Sequence, residues 1–129
     1  MTLEFTTAAA GTQVRSCQCG FCTRQGAATV SDPAGHAVIE MAADDARQYQ
    51  FGTRTATSLI CGTCGVYVGA IVQDGDKVWS IANTRGLAIA EFAGRTGEPM
   101  VYEHETPAQR IARRKQRWTP TELKVRLPA

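Results

Sequence analysis

Short β-branched and aromatic runs, broken every few residues by Gly, Asp or Pro, set the pattern of this chain. Little of it repeats at the helical period. Residues 3–6 and 13–16 read as strands joined by a small-residue loop at 7–12, and the second strand runs into a cysteine-rich turn. Strands are expected at 27–30 and 37–41, separated by Ser31-Asp32-Pro33-Ala34-Gly35, residue types that bend a chain and avoid central strands. Two more are expected at 49–52 and 57–60. The clearest hairpin follows: residues 66–72, a turn at 73–77 carrying Asp74-Gly75, and a return strand at 78–83. Residues 87–93, with Leu87, Ile89 and Phe92, fit either a strand or a short helix. One helix stands out. Thr106 suits an N-cap, Pro107 the first helical position, and residues 108–117 are strong helix formers before Trp118-Thr119-Pro120 ends the run. The fold class is therefore mainly β, with a short helix near the C-terminus.

With 129 residues the chain is expected to form a single domain, 1–129, burying roughly 65–70% of its unfolded surface. Such a domain does not need a metal merely to become compact. The formal charge is +2, unevenly spread: residues 1–60 hold four Arg and Lys against five Asp and Glu, the remainder ten against seven. The N-terminal Met-Thr-Leu-Glu-Phe places an acid where a signal peptide has its basic region. No apolar run approaches the ~20 residues of a membrane span. The sequence is thus read as a cytoplasmic protein with no membrane partner.

The five cysteines fall in two tight clusters, Cys17-Gln18-Cys19-Gly20-Phe21-Cys22 and Cys61-Gly62-Thr63-Cys64. Thiols this close, flanked by Gly, suit a zinc site, where a turn brings sulfurs to about 2.3 Å from one ion. Disulfides fit less well, because an odd count leaves one thiol unpaired.

The spacing Cys17-x-Cys19-x-x-Cys22, then Gly26-Ala27, then Cys61-x-x-Cys64-Gly65 resembles the glutathione-dependent formaldehyde-activating enzyme family, which includes the centromere protein V relatives. The likeness covers residues 3–90, including Ile81-Ala82-Asn83-Thr84-Arg85-Gly86-Leu87. It implies a β-tent of twisted antiparallel sheets carrying zinc-bearing turns. It implies a three-sulfur catalytic site, a role that falls on Cys17, Cys19 and Cys22, and a structural site that takes Cys61 and Cys64. The implied activity is that of a carbon–sulfur lyase, S-(hydroxymethyl)glutathione synthase, with Zn2+ as cofactor and a glutathione-like thiol and small aldehyde as partners. Two departures matter. The family's early Cys-x-Cys pair has no counterpart in these residues, and its usual His between the first two cysteines is Gln18.

Two sulfurs alone hold zinc poorly. Cys61 and Cys64 are left to recruit two of Cys17, Cys19 and Cys22, to recruit His36 or His104, or to lose their site. One zinc with four sulfurs from two turns is the favoured arrangement, which makes all five cysteines candidate metal ligands. Three protein sulfurs leave a position for substrate; four close the site.

A zinc-bound thiol is deprotonated near neutral pH. Glutathione also carries two carboxylates, and Arg24 and Arg85 are the candidate substrate-binding cations. His36 reads better as a surface histidine, while His104, between Glu103 and Glu105, suits a carboxylate partner equally well; Trp79 and Tyr67 read as core aromatics, and Asp44-Asp45 as a turn or helix start. Arg110, Arg113, Arg114 and Arg117 recur at three- and four-residue spacing along one helix face. That face reads first as a solvated helix surface, and it supports a rival reading, a non-catalytic zinc-stabilised module that binds an acidic partner through the basic helix 107–117. Ile111 is the helix's one large apolar residue before Trp118, so weak docking is expected. Nucleic acid is disfavoured at a charge of +2, and the pattern leaves room for a homodimer.

Overall fold

The computed structural model describes residues 1–7 and 12–126; residues 8–11, within the expected small-residue loop, lie outside them. Ten strands form one twisted, mixed sheet. They are β1 (Thr2–Thr6), β2 (Arg15–Cys17), β3 (Thr29–Val30), β4 (His36–Ala42), β5 (Ala46–Tyr49), β6 (Thr57–Cys61), β7 (Tyr67–Asp74), β8 (Lys77–Asn83), β9 (Glu98–Met100) and β10 (Thr119–Arg126). Among the described residues two α-helices interrupt them, α1 (Gly20–Arg24) and α2 (Pro107–Arg117), and a 3-10 turn spans Ala90–Phe92.

The β7–β8 hairpin is the spine. Asp74 pairs with Lys77 around Gly75, whose φ of 63° is the left-handed conformation this turn requires. Tyr67 to Val72 are buried without interruption, so β7 has no solvent face there. Beyond β7, β6 and then β5 continue the sheet. The far edge of β8 is shared: Val78 to Ser80 pair with β10, while Ala82 and Asn83 pair with β3. One end of the molecule therefore runs through β10, β4 and β1, and another through β3, β2 and β9.

The mainly β class is as expected, but the sheet is not purely antiparallel. Strand β10 lies parallel to β4, and β9 lies parallel to β2. Trp118-Thr119-Pro120 does end α2, yet the chain then passes directly into β10. There Thr119, Thr121 and Leu123 face inward in alternation with exposed Pro120, Glu122 and Lys124. The strand expected at 49–52 also moves: β5 ends at Tyr49, and Gly52 and Arg54 take positive φ in the turn beyond it. Residues 87–93 form a turn that buries Phe92.

Three apolar clusters fill the fold. The largest joins Ile39, Met41, Leu59 and Ile71; a second joins Val14, Ala28, Val30 and Phe92; the third joins Ala70 and Val72 to Trp118. Buried polar groups close the seams between them. The Asn83 side chain accepts from Ala28 N–H at 3.1 Å and donates to the Tyr67 carbonyl at 2.9 Å. The Thr119 hydroxyl, fully buried, accepts from Asp32 N–H at 2.8 Å.

Candidate metal centre and its cavity

The spacing of the first cysteine cluster is the spacing of a strand end running into a helix start. Cys17 is the last residue of β2, and Gln18 N–H is still tied to the Met100 carbonyl of β9 at 2.9 Å. Cys19 is the N-cap of α1, with extended backbone, and its Sγ accepts from Cys22 N–H at 3.4 Å. Cys22 lies within that single turn of helix. Gly26, at φ 59°, turns the chain out again, and Ala27 N–H bonds the Cys22 carbonyl. The outcome is three half-buried thiols whose sulfurs all lie within 4.8 Å of one another. Among the described residues they are the only group of three metal-ligating side chains so placed.

The sulfurs act on one another. Hydrogen bonds from Cys17, then Cys22, pull the Cys19 thiol far below its ordinary value. Cys17 is pushed up by its bond to Cys19, and Cys22 by its bonds to Cys17 and Cys19. Of the three, Cys19 is thus the thiol whose ionised form its neighbours favour. Tyr67, packed beside them, has its phenol pushed up, first by burial and then by the three thiols. It remains a neutral hydrogen-bond donor at any ordinary pH.

These cysteines open onto a cavity of about 490 Å³, within the range of small-molecule sites. Beside them stands an aromatic cluster centred on Phe21, whose ring lies 5.0–5.4 Å from those of Tyr67, Phe51 and Tyr49. Phe21, Phe51 and Tyr67 line the cavity. So do four arginines, Arg15 of β2 and Arg110, Arg113 and Arg114 of α2.

The basic helix is therefore not a solvated face. Its arginines fasten it. Arg113 Nε lies 3.0 Å from both oxygens of Glu105, and its guanidinium lies 3.7 Å from the centre of the Tyr102 ring. Arg114 lies over Trp118 and donates to the Thr55 hydroxyl, while Lys115 pairs with Asp74. Docking through stems and guanidinium groups replaces the apolar face the helix lacks.

The two residues expected to bind substrate carboxylates are elsewhere. Arg24, at the end of α1, and Arg85, in the turn after β8, are both exposed, and neither lines the cavity. The arginines that line it are Arg15, Arg110, Arg113 and Arg114. Arg15 carried a readable signal, since it lies two residues before Cys17 in a strand and so shares its face.

The second cluster stands apart, and the expectation of one ion shared between the two turns is not met. Cys61 ends β6, and the turn closes with Gly65 N–H on the Cys61 carbonyl at 2.9 Å, Gly65 having φ 76°. Cys61 and Cys64 line a different cavity, of about 310 Å³, with Met1, Asp45, Thr63 and Val66. The Cys61 thiol is lowered by Cys64 N–H and then by Thr63 N–H. Neither His36 nor His104, both exposed, joins them in a group of three ligands.

No family model matches the chain, and no curated protein matches it. Among solved structures it is similar to a structural-genomics crystal structure of a Rhodobacter sphaeroides protein. The two are 29% identical, the match covers 78% of this chain and 88% of that one, and the TM-score is 0.44. No helix among the described residues is long and apolar enough to cross a membrane.

Proposed function

We propose that Cys17, Cys19 and Cys22 hold one zinc ion with its fourth position turned to the cavity, and that the protein binds and activates a small-molecule thiol there. The observation that carries this reading is the three sulfurs within 4.8 Å of one another on a cavity of about 490 Å³. Tetrahedral zinc with sulfurs at about 2.3 Å places them roughly 3.8 Å apart. Small side-chain rotations reach that spacing. The donor set favours a thiophilic metal, since all three ligands are thiols.

Zinc bound there supplies the charge that lowers the pKa of a ligand thiol toward neutrality. The chain's own groups do the rest. Phe21 and Phe51 cover the site with apolar surface, and Tyr67 offers a neutral donor beside the sulfurs. Among the described residues no carboxylate or histidine joins the three-sulfur group, and the one carboxylate lining the cavity is the exposed Glu103; this fits a reaction in which the nucleophile arrives deprotonated.

The cysteine pattern that resembles the formaldehyde-activating family supports addition of a glutathione-like thiolate to a small aldehyde. The sulfur lone pair forms the C–S bond, the carbonyl π pair moves to oxygen, and that oxygen takes a proton from solvent. The product is an S-(hydroxyalkyl) thioether, a hemithioacetal, and the reverse reaction is a carbon–sulfur lyase step.

The test is zinc per chain on the purified protein beside a Cys19→Ala variant. One zinc in the wild type, absent from the variant, is expected, followed by glutathione-dependent consumption of formaldehyde. Wild-type protein without zinc would overturn the reading.

A further inference from the structure

Beyond the cysteine cluster, two buried guanidinium nitrogens among the described residues lack a hydrogen-bond partner. Arg110 Nε and Arg114 Nε are both sealed from solvent, and neither has a hydrogen-bond partner. Buried N–H donors, charged ones above all, are nearly always paired. Both residues line the cavity that holds Cys17, Cys19 and Cys22. They follow each other at four-residue spacing on α2, so their side chains rise from the same side of the helix.

The neighbouring charges leave this need unmet. Glu105 is taken up by Arg113, held through both its oxygens. Arg114 has one partner in the neutral Thr55 hydroxyl and rests on Trp118. Its guanidinium is lowered to about 10, by burial first and then by Arg113 and Arg110. It still carries its full charge at neutral pH. Burial likewise lowers Arg15. The fold thus gathers four arginines at a cavity whose one lining carboxylate is the exposed Glu103, and leaves the Nε donors of two of them without acceptors.

We infer that Arg110 and Arg114 form an oxyanion-binding subsite, so that the ligand of this cavity is a small organic anion whose carboxylate or phosphate pairs with their guanidinium groups from the cavity side. The two Nη groups of a guanidinium donate in parallel, which matches two oxygens of either headgroup. The rest of the ligand extends along Phe21, Phe51 and Tyr67 toward the cysteines. This deepens the proposed function, because it names the anchor by which a thiol-bearing ligand is oriented. It rests on that reading only for what the far end of the ligand meets. It also departs from the expectation that Arg24 and Arg85 fill this role.

The experiment is a calorimetric titration of inorganic phosphate, and separately of acetate, with chloride at equal ionic strength as the control. It is run on the protein as purified and again after zinc has been stripped. Saturable binding of one probe above chloride is expected. Arg110→Gln and Arg114→Gln should each weaken it at least tenfold, and the exposed Arg24→Gln should leave it unchanged. Arg110→Met serves as a second variant, keeping the buried stem if the Gln side chain perturbs the helix. Tighter phosphate would assign a phosphorylated ligand, and tighter acetate a carboxylate. Absence of saturable binding, or affinity unchanged in the Arg110 and Arg114 variants, would overturn the inference. Because the titration is repeated without zinc, a protein that binds the probe through these arginines but carries no metal would sink the zinc reading alone.

Discussion

At the scale of single residues, the two cysteine turns differ in what their backbones do with the sulfur. In the first, Cys19 occupies an N-cap and receives Cys22 N–H, while Cys17 and Cys22 add their own thiol protons. Three sulfurs converge because a strand end, a cap and the first turn of a helix meet within six residues. In the second, the acceptor Cys61 faces backbone N–H groups of Cys64 and Thr63, with one neighbouring sulfur and a cavity of its own. Cys61→Ala should therefore leave zinc content unchanged, whereas Cys19→Ala removes it. The check is metal analysis of both variants after gel filtration. Equal loss of zinc in the two would mean that the turns share an ion after all. The numbers of cysteines in each cluster were legible in the sequence; their separation was not. It depends on β6 and β2 lying in different parts of a branched sheet, which spacing along the chain does not encode.

Among the elements, α2 shows how an expectation reaches the right boundaries and the wrong surroundings. Thr106 caps it as its sequence suggests: the hydroxyl accepts from Gln109 N–H at 3.2 Å, and the Gln109 side chain accepts from Thr106 N–H at 2.8 Å. Thr106→Ala should lower stability by about 1 kcal/mol in urea unfolding. It should also weaken anion binding, because the capped helix positions Arg110 and Arg114. A change within about 0.5 kcal/mol, the scatter of ordinary surface substitutions, would show the cap to be idle. What the sequence concealed was the direction of the arginine face. With Ile111 as its one large apolar residue, α2 has no hydrophobic stripe to announce which side is inner. The packing is done instead by Arg113 on Tyr102 and Glu105 and by Arg114 on Trp118. Strands β9 and β10 were hidden for a different reason. Each carries a proline, Pro99 and Pro120, and proline reads as a strand breaker. Both residues are exposed in the folded chain, and the alternation of Thr119, Thr121 and Leu123 was the signal that outweighed Pro120.

For the molecule as a whole, the decisive question is whether the metal centre holds the fold or is held by it. The largest apolar cluster, Ile39, Met41, Leu59 and Ile71, belongs to β4, β6 and β7. None of these strands carries Cys17, Cys19 or Cys22. The cysteine turn hangs on β2, which reaches the spine through the two-residue strand β3 and through Asn83, bonded to both Ala28 and Tyr67. A chain of 129 residues can bury enough apolar surface to fold without an ion. Stripping zinc with a chelator should accordingly preserve the strand signal in far-UV circular dichroism and lower Tm by several degrees. The stabilisation that is lost depends on free zinc, since an ion bound by the folded state alone raises stability with its concentration. Hydrogen exchange should report where the loss falls. Amides of β2 and α1 are expected to exchange faster in the stripped protein, while those of β7 keep their protection, because local opening draws on the elements with fewest buried contacts. Complete loss of the strand signal on chelation would reverse the order, making the metal the organiser of the sheet and the cavity a consequence of it.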